Sequence, residues 1–292
     1  MNETKVINKL SRSDLIRCIP YWSLYLTCGF VFYTGVSTPA LLLCLISYVI
    51  RMFAITGFYH RYFSHKTFKT GRICQFFFAF LGAASGQRGP LWWAAHHSYH
   101  HRSSDRQGDV HSPVQHSFLW SHLFWFVADK NFVTHTDRVK DFAKYPELKW
   151  LDRFDLVPPF LYALFILACG YLIEFFVNDP GVTAGQCLIW GFFISTILVH
   201  QFTFSVNSLA HIFGSKPFKT RDNSRNNAFV AFFTLGEGWH NNHHFYPSST
   251  RQGFTPWQFD PTWWGLLLLE KAGLVSELSP VPAHILAKRM SK

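Results

Sequence analysis

Charged residues are scarce in this chain: they make up 15% of its 292 residues, against roughly 25% in ordinary soluble proteins. The six cysteines include no CxxC pair, so neither a disulfide framework nor a zinc ribbon is predicted. The 27 basic residues outnumber the 17 acidic ones, but they flank apolar stretches and form no separate basic domain, so nucleic acid is not an expected partner. No internal repeat or flexible linker divides the chain, and one domain over 1–292 is predicted.

Long uncharged stretches are what the chain has instead. A membrane-spanning helix needs about 20 apolar residues. Four transmembrane helices in two hairpins are predicted, near 17–35, 39–58, 156–176 and 184–206, and the fourth is free to continue beyond the membrane. The predicted fold is therefore an all-α integral membrane protein with a cytosolic helical cap from 59–155 and 207–292. Arg51, inside the second span, is expected either to snorkel or to face protein.

The basic residues of the short loops predict the orientation. They precede the first predicted span and follow the second and the fourth, whereas the two intervening turns carry none, so both termini are expected to be cytoplasmic, at the inner membrane if the chain is bacterial. Ile73–Gln87 is uncharged but short, and is predicted to be interfacial, because a fifth span would separate the histidines on either side of it. The counted residues are Lys5, Lys9, Arg12, Arg17, Arg61, Lys66, Lys69, Arg72, Lys216, Lys219, Arg221 and Arg225.

Sixteen histidines occur, and most of them are clustered: HRYFSH at 60–65, HHSYHH at 96–101, HNNHH at 240–244, and a further NSLAH at 207–211. Residues three and four apart share one face of a helix, so the second and third clusters can each aim three imidazoles at one point. His60 and His65 are five apart and converge only if the helix ends or loosens between them.

The number of clustered imidazoles predicts the metal count. Eight or nine convergent histidines exceed the ligand set of one tetrahedral zinc, so two metal ions are expected. Glu237 is the only glutamate close to a cluster, which leaves a nitrogen ligand set, and imidazole suits zinc, copper, iron and nickel alike. Isolated histidines such as His116, His135 and His284 are interpreted as ordinary polar residues.

The combination of HxxxxH, HxxHH and HxxHH, with two predicted spans between the second and third boxes, resembles the membrane fatty-acid desaturases, in particular the stearoyl (acyl-CoA type, Δ9) branch. Residues 57–65 resemble the first box of that family, 236–244 its third box with a Gly-Glu-Gly lead, and 207–211 its NSxAH element. The resemblance implies a metal-bound water held by Asn207, and it assigns no role to His96. It implies iron ligands at His60, His65, His97, His100, His101, His211, His240, His243 and His244.

The chemistry that the resemblance implies is insertion of a cis double bond, at Δ9, into a saturated acyl chain in unsaturated fatty acid biosynthesis. Two iron ions, O2 and two electrons are expected to serve it, with no bound haem or flavin. The chain carries no recognisable cytochrome domain, so a separate electron donor of the ferredoxin or cytochrome b5 type is expected. Membrane lipid is expected as a further partner.

Residues near the second box leave the acyl carrier open. Ala95-His96 stand where animal acyl-CoA enzymes carry Arg-Asp, and the sequence WWAAHH at 92–97 looks more like bacterial and cyanobacterial relatives. Acyl-CoA, acyl-carrier protein and acyl lipid all remain candidate substrates. Trp93 resembles a tryptophan that lines the acyl tunnel, although a residue of the interfacial aromatic belt has the same appearance.

Further side chains are candidates for supporting roles. Asp105, Asp109 and Glu237 are close enough in sequence to orient the imidazoles, with a solvated surface position as the competing interpretation of Asp105. The second span runs directly into His60, so its apolar residues, such as Ile50, are expected to close the acyl channel unless they face lipid. Phe53 and Ala54 belong to the same expectation.

Two other functions compete with desaturation. A lipid, alkane, sterol or carotenoid hydroxylase would share the metal site and leave an alcohol, but the Gly-Glu-Gly-Trp lead and NSxAH favour a desaturase. A histidine-rich metal transporter would place its ligands inside the spans. These clusters lie just outside them, and His200 is the only histidine predicted within a span.

Overall fold

The computed structural model describes residues 10–288 and is mostly helical. Lys5 and Lys9, which the orientation prediction uses, and the outermost ends of the predicted domain lie outside the described residues. The α-helices, two of which include π-helical segments, are α1 (Arg12–Arg17), α2 (Ile19–Cys28), α3 (Val31–Thr34), α4 (Thr38–Ser64), α5 (Arg72–Ala83), α6 (Pro90–Ser103), α7 (Lys140–Ala143), α8 (Pro146–Arg153), α9 (Val157–Val177), α10 (Ala184–His211), α11 (Ala228–Phe233), α12 (His240–Phe245), α13 (Pro261–Lys271) and α14 (Ala283–Leu286). A short π-helix lies at Trp120–Phe124, and 3-10 helices lie at Asp129–Asn131 and Thr136–Arg138.

Three of these helices, α4, α9 and α10, are long and apolar enough to cross a membrane within the described part of the chain. The segment predicted as the first span, 17–35, is not one continuous helix, because it is divided among α1, α2 and α3. Pro20, near the start of α2, lacks an amide hydrogen and suits a helix beginning there. Between α2 and α3 the amides of Gly29 and Phe30 donate to carbonyls three residues back, at 3.0 and 3.1 Å, which tightens the turn.

Helix α4 is longer than predicted. It begins where Ser37 accepts a hydrogen bond from the Ala40 amide and where Pro39 occupies an early position, and it continues past the predicted end at 58. Its last part, Ala54–Ser64, is a π-helix, so the first histidine cluster lies on the same helix as the apolar span.

A buried arginine joins α4 to α10. Arg51 is fully buried and faces protein, which settles the two alternatives predicted for it. Its guanidinium donates to Ser195 Oγ at 2.5 Å and to Thr196 Oγ1 at 2.6 Å, on the helix that carries His211 at its end. Helix α10 begins at a Thr183 cap and holds a π-helical segment at Ile189–Ile194.

The cap packs its own core against the π-helical end of α4. Phe58, Tyr59 and Phe63 form a buried cluster with Leu148 and Leu151 of α8. Helix α5 is apolar but has only 12 residues, about 18 Å at 1.5 Å per residue, too short for a bilayer core. Its interfacial position stays a prediction. The two short strands, β1 (Lys69–Thr70) and β2 (Val275–Ser276), pair antiparallel and tie the end of the chain to the loop after α4.

Candidate metal centre

The first histidine cluster converges because of the π-helix. A π turn joins residues five apart, and the His65 amide donates to the His60 carbonyl at 3.2 Å. The spacing that is unfavourable on an α-helix therefore places both imidazoles on one side of α4, and their ring centroids are 4.9 Å apart. The predicted loosening of the helix is present between these residues.

The other clusters lie on short helices around this point. His97, His100 and His101 lie on α6, and His240, His243 and His244 on α12, each set with three- and four-residue spacing. His211 ends α10. The helices that carry the clusters come from distant parts of the chain, so the site forms only when the cap folds over the ends of α4 and α10.

The nine histidines separate into two groups, within each of which the candidate ligand nitrogens lie within 4.8 Å of one another. The five-histidine group consists of His60, His65, His97, His101 and His243. The four-histidine group consists of His100, His211, His240 and His244. All nine histidines predicted from sequence are in these groups, whereas metal binding itself stays a prediction.

The distances between nitrogens fit a shared cation. In the five-histidine group, Nε2 of His97 lies 2.9 Å from that of His65 and 3.0 Å from that of His101. The Nε2 atoms of His60 and His243 are also 3.0 Å apart. Two nitrogens about 2.1 Å from one metal, at a right angle, are about 3.0 Å apart, whereas a tetrahedral angle separates them by about 3.4 Å. The spacing of these nitrogens therefore fits imidazoles that share one cation.

In the four-histidine group, unpaired ring nitrogens also indicate a site for a cation. Nε2 of His100 and Nε2 of His244 are buried without a hydrogen-bond partner, and Nε2 of His211 faces Nε2 of His240 at 3.0 Å. A buried polar atom left unpaired costs about 1–3 kcal/mol, so this arrangement is unfavourable unless a ligand satisfies the nitrogens. A metal ion between them would satisfy these nitrogens.

Carboxylates hold four of the nine imidazoles through the other ring nitrogen. His211 Nδ1 donates to Asp105 at 2.9 Å, His100 Nδ1 to Asp109 at 3.0 Å and His244 Nδ1 to Asp222 at 2.7 Å. In the five-histidine group His60 Nδ1 donates to Glu237. Each of these bonds places the proton on Nδ1 and leaves Nε2 free to bind a metal, as in many metal sites.

Two of these carboxylates change the sequence interpretation. Asp105 is buried, so the solvated surface position considered for it is wrong. Its turn brings it beneath His211, and its Oδ1 also accepts from Ser112 Oγ at 2.6 Å. Asp222 was missed altogether, because nothing near 222 in the sequence marks it as a partner of His244.

The pKa values agree with the roles of these groups. Burial opposes ionisation of Asp105, but its hydrogen bonds to His211 and Ser112 outweigh burial and lower the pKa to about 2. Burial lowers the pKa values of His97, His101 and His243 well below their usual range, and the neighbouring imidazoles lower them further. Near pH 7 these imidazoles are therefore neutral, which is the form that binds metal.

An arginine and two carboxylates support His60. Arg61, which is fully buried, donates to Glu237 at 3.0 Å and to Asp260 at 2.8 Å. Gln252 donates to the second oxygen of Glu237 at 2.8 Å. Glu237 precedes His240 by three residues, yet its carboxylate contacts His60 and Arg61. Sequence reasoning identified Glu237 but missed Arg61, Gln252 and Asp260.

The glycines on either side of Glu237 allow its close approach. Gly236 has a φ of +118°, and a Cβ there would lie 2.5 Å from the carboxylate of Asp260. A Cβ on Gly238 would lie 2.1 Å from the Ala231 amide nitrogen. The Gly-Glu-Gly lead is therefore required for the backbone to pass α11 and still present Glu237 to His60.

Other histidines near the site lie outside both groups. His111 is buried within reach of His100 and Asp109, and it was not identified from sequence. His116, expected to be an ordinary polar residue, contacts the Asp109 carbonyl through Nε2 at 3.0 Å. His96 packs on Trp92 and Trp125. His200, inside α10 as predicted, contacts the Ser85 carbonyl at 2.6 Å.

A cavity of about 580 Å³ reaches the five-histidine group. Its wall includes His60 and His97, with Trp93 stacked on His97 at 4.9 Å between ring centroids. Asn207 lines the same cavity, four residues before His211. Away from the histidines the wall is largely apolar, with contributions from Leu24, Met52, Ile55, Ala163, Phe192 and Phe193.

The residues of α4 that line the cavity are not those named from the sequence. Met52, Ile55 and Thr56 line it, whereas Ile50, Phe53 and Ala54 do not. Ile50 is 41% exposed on the outside of the bundle. Because successive helical residues point about 100° apart, the sequence located the helix but not its inward face.

Together the fold and the site define a class of protein: a helical protein with apolar spans and two histidine groups at the end of an apolar cavity. The family model described as fatty acid desaturase matches residues 37–267. The chain belongs to the fatty acid desaturase family, and it is an oxidoreductase.

The chain also matches relatives whose names give different acyl carriers and different double-bond positions. An acyl-CoA C20 Delta5-desaturase of Anemone leveillei is 33% identical over 289 residues, which cover 98% of this chain and 88% of that protein. Delta-9 acyl-lipid desaturase 1 of Arabidopsis thaliana is 36% identical over 256 residues, covering 87% and 79%. The sn-2 palmitoyl-lipid 9-desaturase of Nostoc sp. (strain 36) is 33% identical over 229 residues, covering 77% and 75%.

Proposed function

We propose that this desaturase inserts a cis double bond at Δ9 of a saturated fatty-acyl chain, using two iron ions. The observation that carries the proposal is the apolar cavity whose wall includes His60 and His97 of the five-histidine group. A methylene chain buried in that cavity can lie beside the metal ligands, away from water. The Δ9 position rests on the relatives named above, of which one acts at Δ5.

The proposed ligands are the nine histidines of the two groups, with Asn207 acting through a bound water. Iron held at these sites would, when reduced, activate O2 for removal of hydrogen from an unactivated carbon, which no side chain can do. The reaction balances when one O2 takes two hydrogens from adjacent carbons, two electrons from a separate donor and two protons from solvent. The products are one alkene and two water molecules.

The chain's own residues position the reactants. Asp105, Asp109, Asp222 and Glu237 fix the imidazole rings through Nδ1. Trp93 and Thr56 line the cavity together with His60 and His97 and would confine the acyl chain beside them. The cap covers the histidines and keeps water away from them, and a reactive oxidant requires such protection from water.

The membrane arrangement is part of the same proposal. Four spans in two hairpins would use α4, α9, α10 and the broken segment α1–α3, with both termini cytoplasmic. Every histidine cluster then lies at the cytoplasmic ends of the spans. The uncharged turn at 36–38, against the basic residues after α4 and α10, supports this orientation.

Expression in a host that makes saturated fatty acids tests the function. Mass spectrometry of the extracted fatty acids, with the double bond located by chemical derivatisation, should show a cis Δ9 alkene absent from a His97→Ala control. A hydroxylated fatty acid in place of the alkene would favour the hydroxylase alternative. A saturated profile identical to the control would reject the proposal.

A further inference from the structure

The cavity that reaches the histidines opens at one identifiable place. Most residues of its wall are buried or half-buried, but Arg17, Pro20, Leu156 and Phe160 are exposed. Leu156 is 60% exposed and Phe160 is 62% exposed. The opening therefore lies between the start of α2 and the start of α9.

Three of the four exposed residues at this opening, Pro20, Leu156 and Phe160, are apolar. Leu156 immediately precedes α9, a helix that is long and apolar enough to span a membrane, and Phe160 lies in its first turn. Pro20 lies in the uncharged stretch 18–50. Exposed apolar side chains at the start of a helix that can span a membrane are stable beside lipid tails and unfavourable beside water. The chain can thus admit an acyl tail from the side.

The two arginines of the cavity wall are already paired with carboxylates. Arg17 is paired with Asp129 at 2.5 Å and with Asp14 at 3.9 Å, and Arg88 with Asp155 at 2.5 Å. Both arginines of the cavity wall therefore already have acidic partners, and three carboxylates accompany two guanidinium groups. The phosphates of coenzyme A would have to compete with these carboxylates for the two arginines of the cavity wall. A head group without net charge has no such requirement.

We propose that the substrate is an acyl chain still esterified in a membrane lipid whose head group has no net charge, and that it enters laterally between α2 and α9. The proposal rests on the desaturase function proposed above and adds the carrier and the route. The tail would pass Phe160 and Ala163, reach Met52 and Ile55, and bend at Thr56 toward His60 and His97. The head group would stay at the level of Arg17 and Arg88.

Photo-crosslinking in lipid nanodiscs tests the route without requiring turnover. In one arm, the full-length protein is placed in phosphatidylcholine nanodiscs that contain a phosphatidylcholine probe with a diazirine in its acyl chain. In the other arms, the protein in nanodiscs without that probe is given the same diazirine acyl chain attached to coenzyme A or to acyl-carrier protein. Peptide mass spectrometry then locates the adducts. We expect the lipid probe to label Met52 and Ile55, which are 0% and 2% exposed and cannot be reached from outside.

A matched pair of variants on α9 sharpens the test. Ala163→Trp places bulk in the cavity wall, and Leu164→Trp places the same bulk on the adjacent residue, which is 47% exposed and outside the wall. The first should reduce labelling of Ile55 several-fold, and the second should not. Competition in the wild-type protein needs no variant: excess acyl-CoA should leave labelling by the lipid probe unchanged.

Other outcomes separate the carrier from the function. Labelling of Met52 and Ile55 by the acyl-CoA or acyl-carrier-protein probe, equal to or above that by the lipid probe, overturns the lateral route. So does displacement of the lipid probe by acyl-CoA. Either result leaves the desaturase function intact, since an alkene still forms from the soluble carrier, whereas the host profile that lacks any alkene overturns the function itself.

Discussion

The five-histidine group and the four-histidine group differ in what surrounds them. Only one member of the five-histidine group, His60, has a carboxylate on Nδ1, whereas three of the four members of the other group do. Conversely, His60 and His97 of the five-histidine group line the cavity, and no member of the four-histidine group does so. One group faces the substrate space, and the other is anchored behind it.

This difference indicates a division of roles between two similar ligand sets. Carboxylates on Nδ1 orient the rings and raise their basicity, so the four-histidine group should hold its metal more tightly. The five-histidine group has more nitrogens but fewer charged supports, and it adjoins the apolar wall. We therefore expect the four-histidine group to act mainly as an anchor and the five-histidine group to face the reacting carbons.

The largest effect should come from removing one imidazole from either group. His97→Ala and His244→Ala should each abolish desaturation, because both metal sites are needed, while the proteins still reach the membrane at wild-type levels. Fatty acid profiles and membrane immunoblots measure the two quantities. His284→Ala, at an exposed position outside both groups, is the control and should keep wild-type activity. Full activity in His244→Ala would show that desaturation does not need an intact four-histidine group.

A smaller effect is expected from the carboxylates. Asp222→Asn should weaken metal binding in the four-histidine group by about 10–100-fold, or about 1.4–2.7 kcal/mol, because His244 loses a charged partner. In wild-type protein a chelator titration followed by elemental analysis should release metal in two steps, and in Asp222→Asn the steps should merge.

Asp137→Asn, at an exposed position outside both histidine groups, is the matched control for that titration. It should keep the two steps of the wild type. A single step in wild-type protein, or two unchanged steps in Asp222→Asn, would contradict the difference between the groups.

A change in chain-length preference should separate the two faces of α4. Met52→Phe adds bulk to the cavity wall and should shift products toward shorter acyl chains. Ile50→Trp adds more bulk to the outer face and should leave the profile unchanged. Gas chromatography of the products measures both. The same profile in Met52→Phe and in wild type would mean that the acyl chain does not reach this part of the cavity.

The smallest effect concerns the wall beside the five-histidine group. Trp93→Phe keeps an aromatic ring near His97 but removes part of the stacked surface, so turnover should fall by a few-fold with metal content unchanged. Elemental analysis and product formation on the same sample test this. Loss of metal in Trp93→Phe would show that Trp93 maintains the histidine geometry and not the acyl wall.

Local spacing accounts for what the sequence predicted well. The i, i+3 and i, i+4 histidines of α6 and α12 lie on one face of any helix, so their convergence needs no knowledge of the fold. The ends of α9 were predicted to within about one residue, because apolar length and a proline at its start define them. His60 and His65 depended on a π-helix, which has no comparable sequence signal.

Tertiary contacts account for the rest. Asp222 and Asp260 reach His244 and Arg61 only because loops distant in sequence fold against α12 and α4. The inward face of α4 depends on which neighbours pack around it, and Met52 and Ile50 are both apolar. The break between α2 and α3 arises from a turn of three-residue hydrogen bonds within an uninterrupted apolar stretch.

The most direct test of the account is the position of the metals in the iron-reconstituted protein. Anomalous scattering at the iron edge, from crystals of the full-length protein, should show two iron atoms. One should lie about 2.1 Å from the Nε2 atoms of the five-histidine group and the other at the same distance from those of the four-histidine group. A single iron atom, or a second one bound outside these nine histidines, would contradict the account.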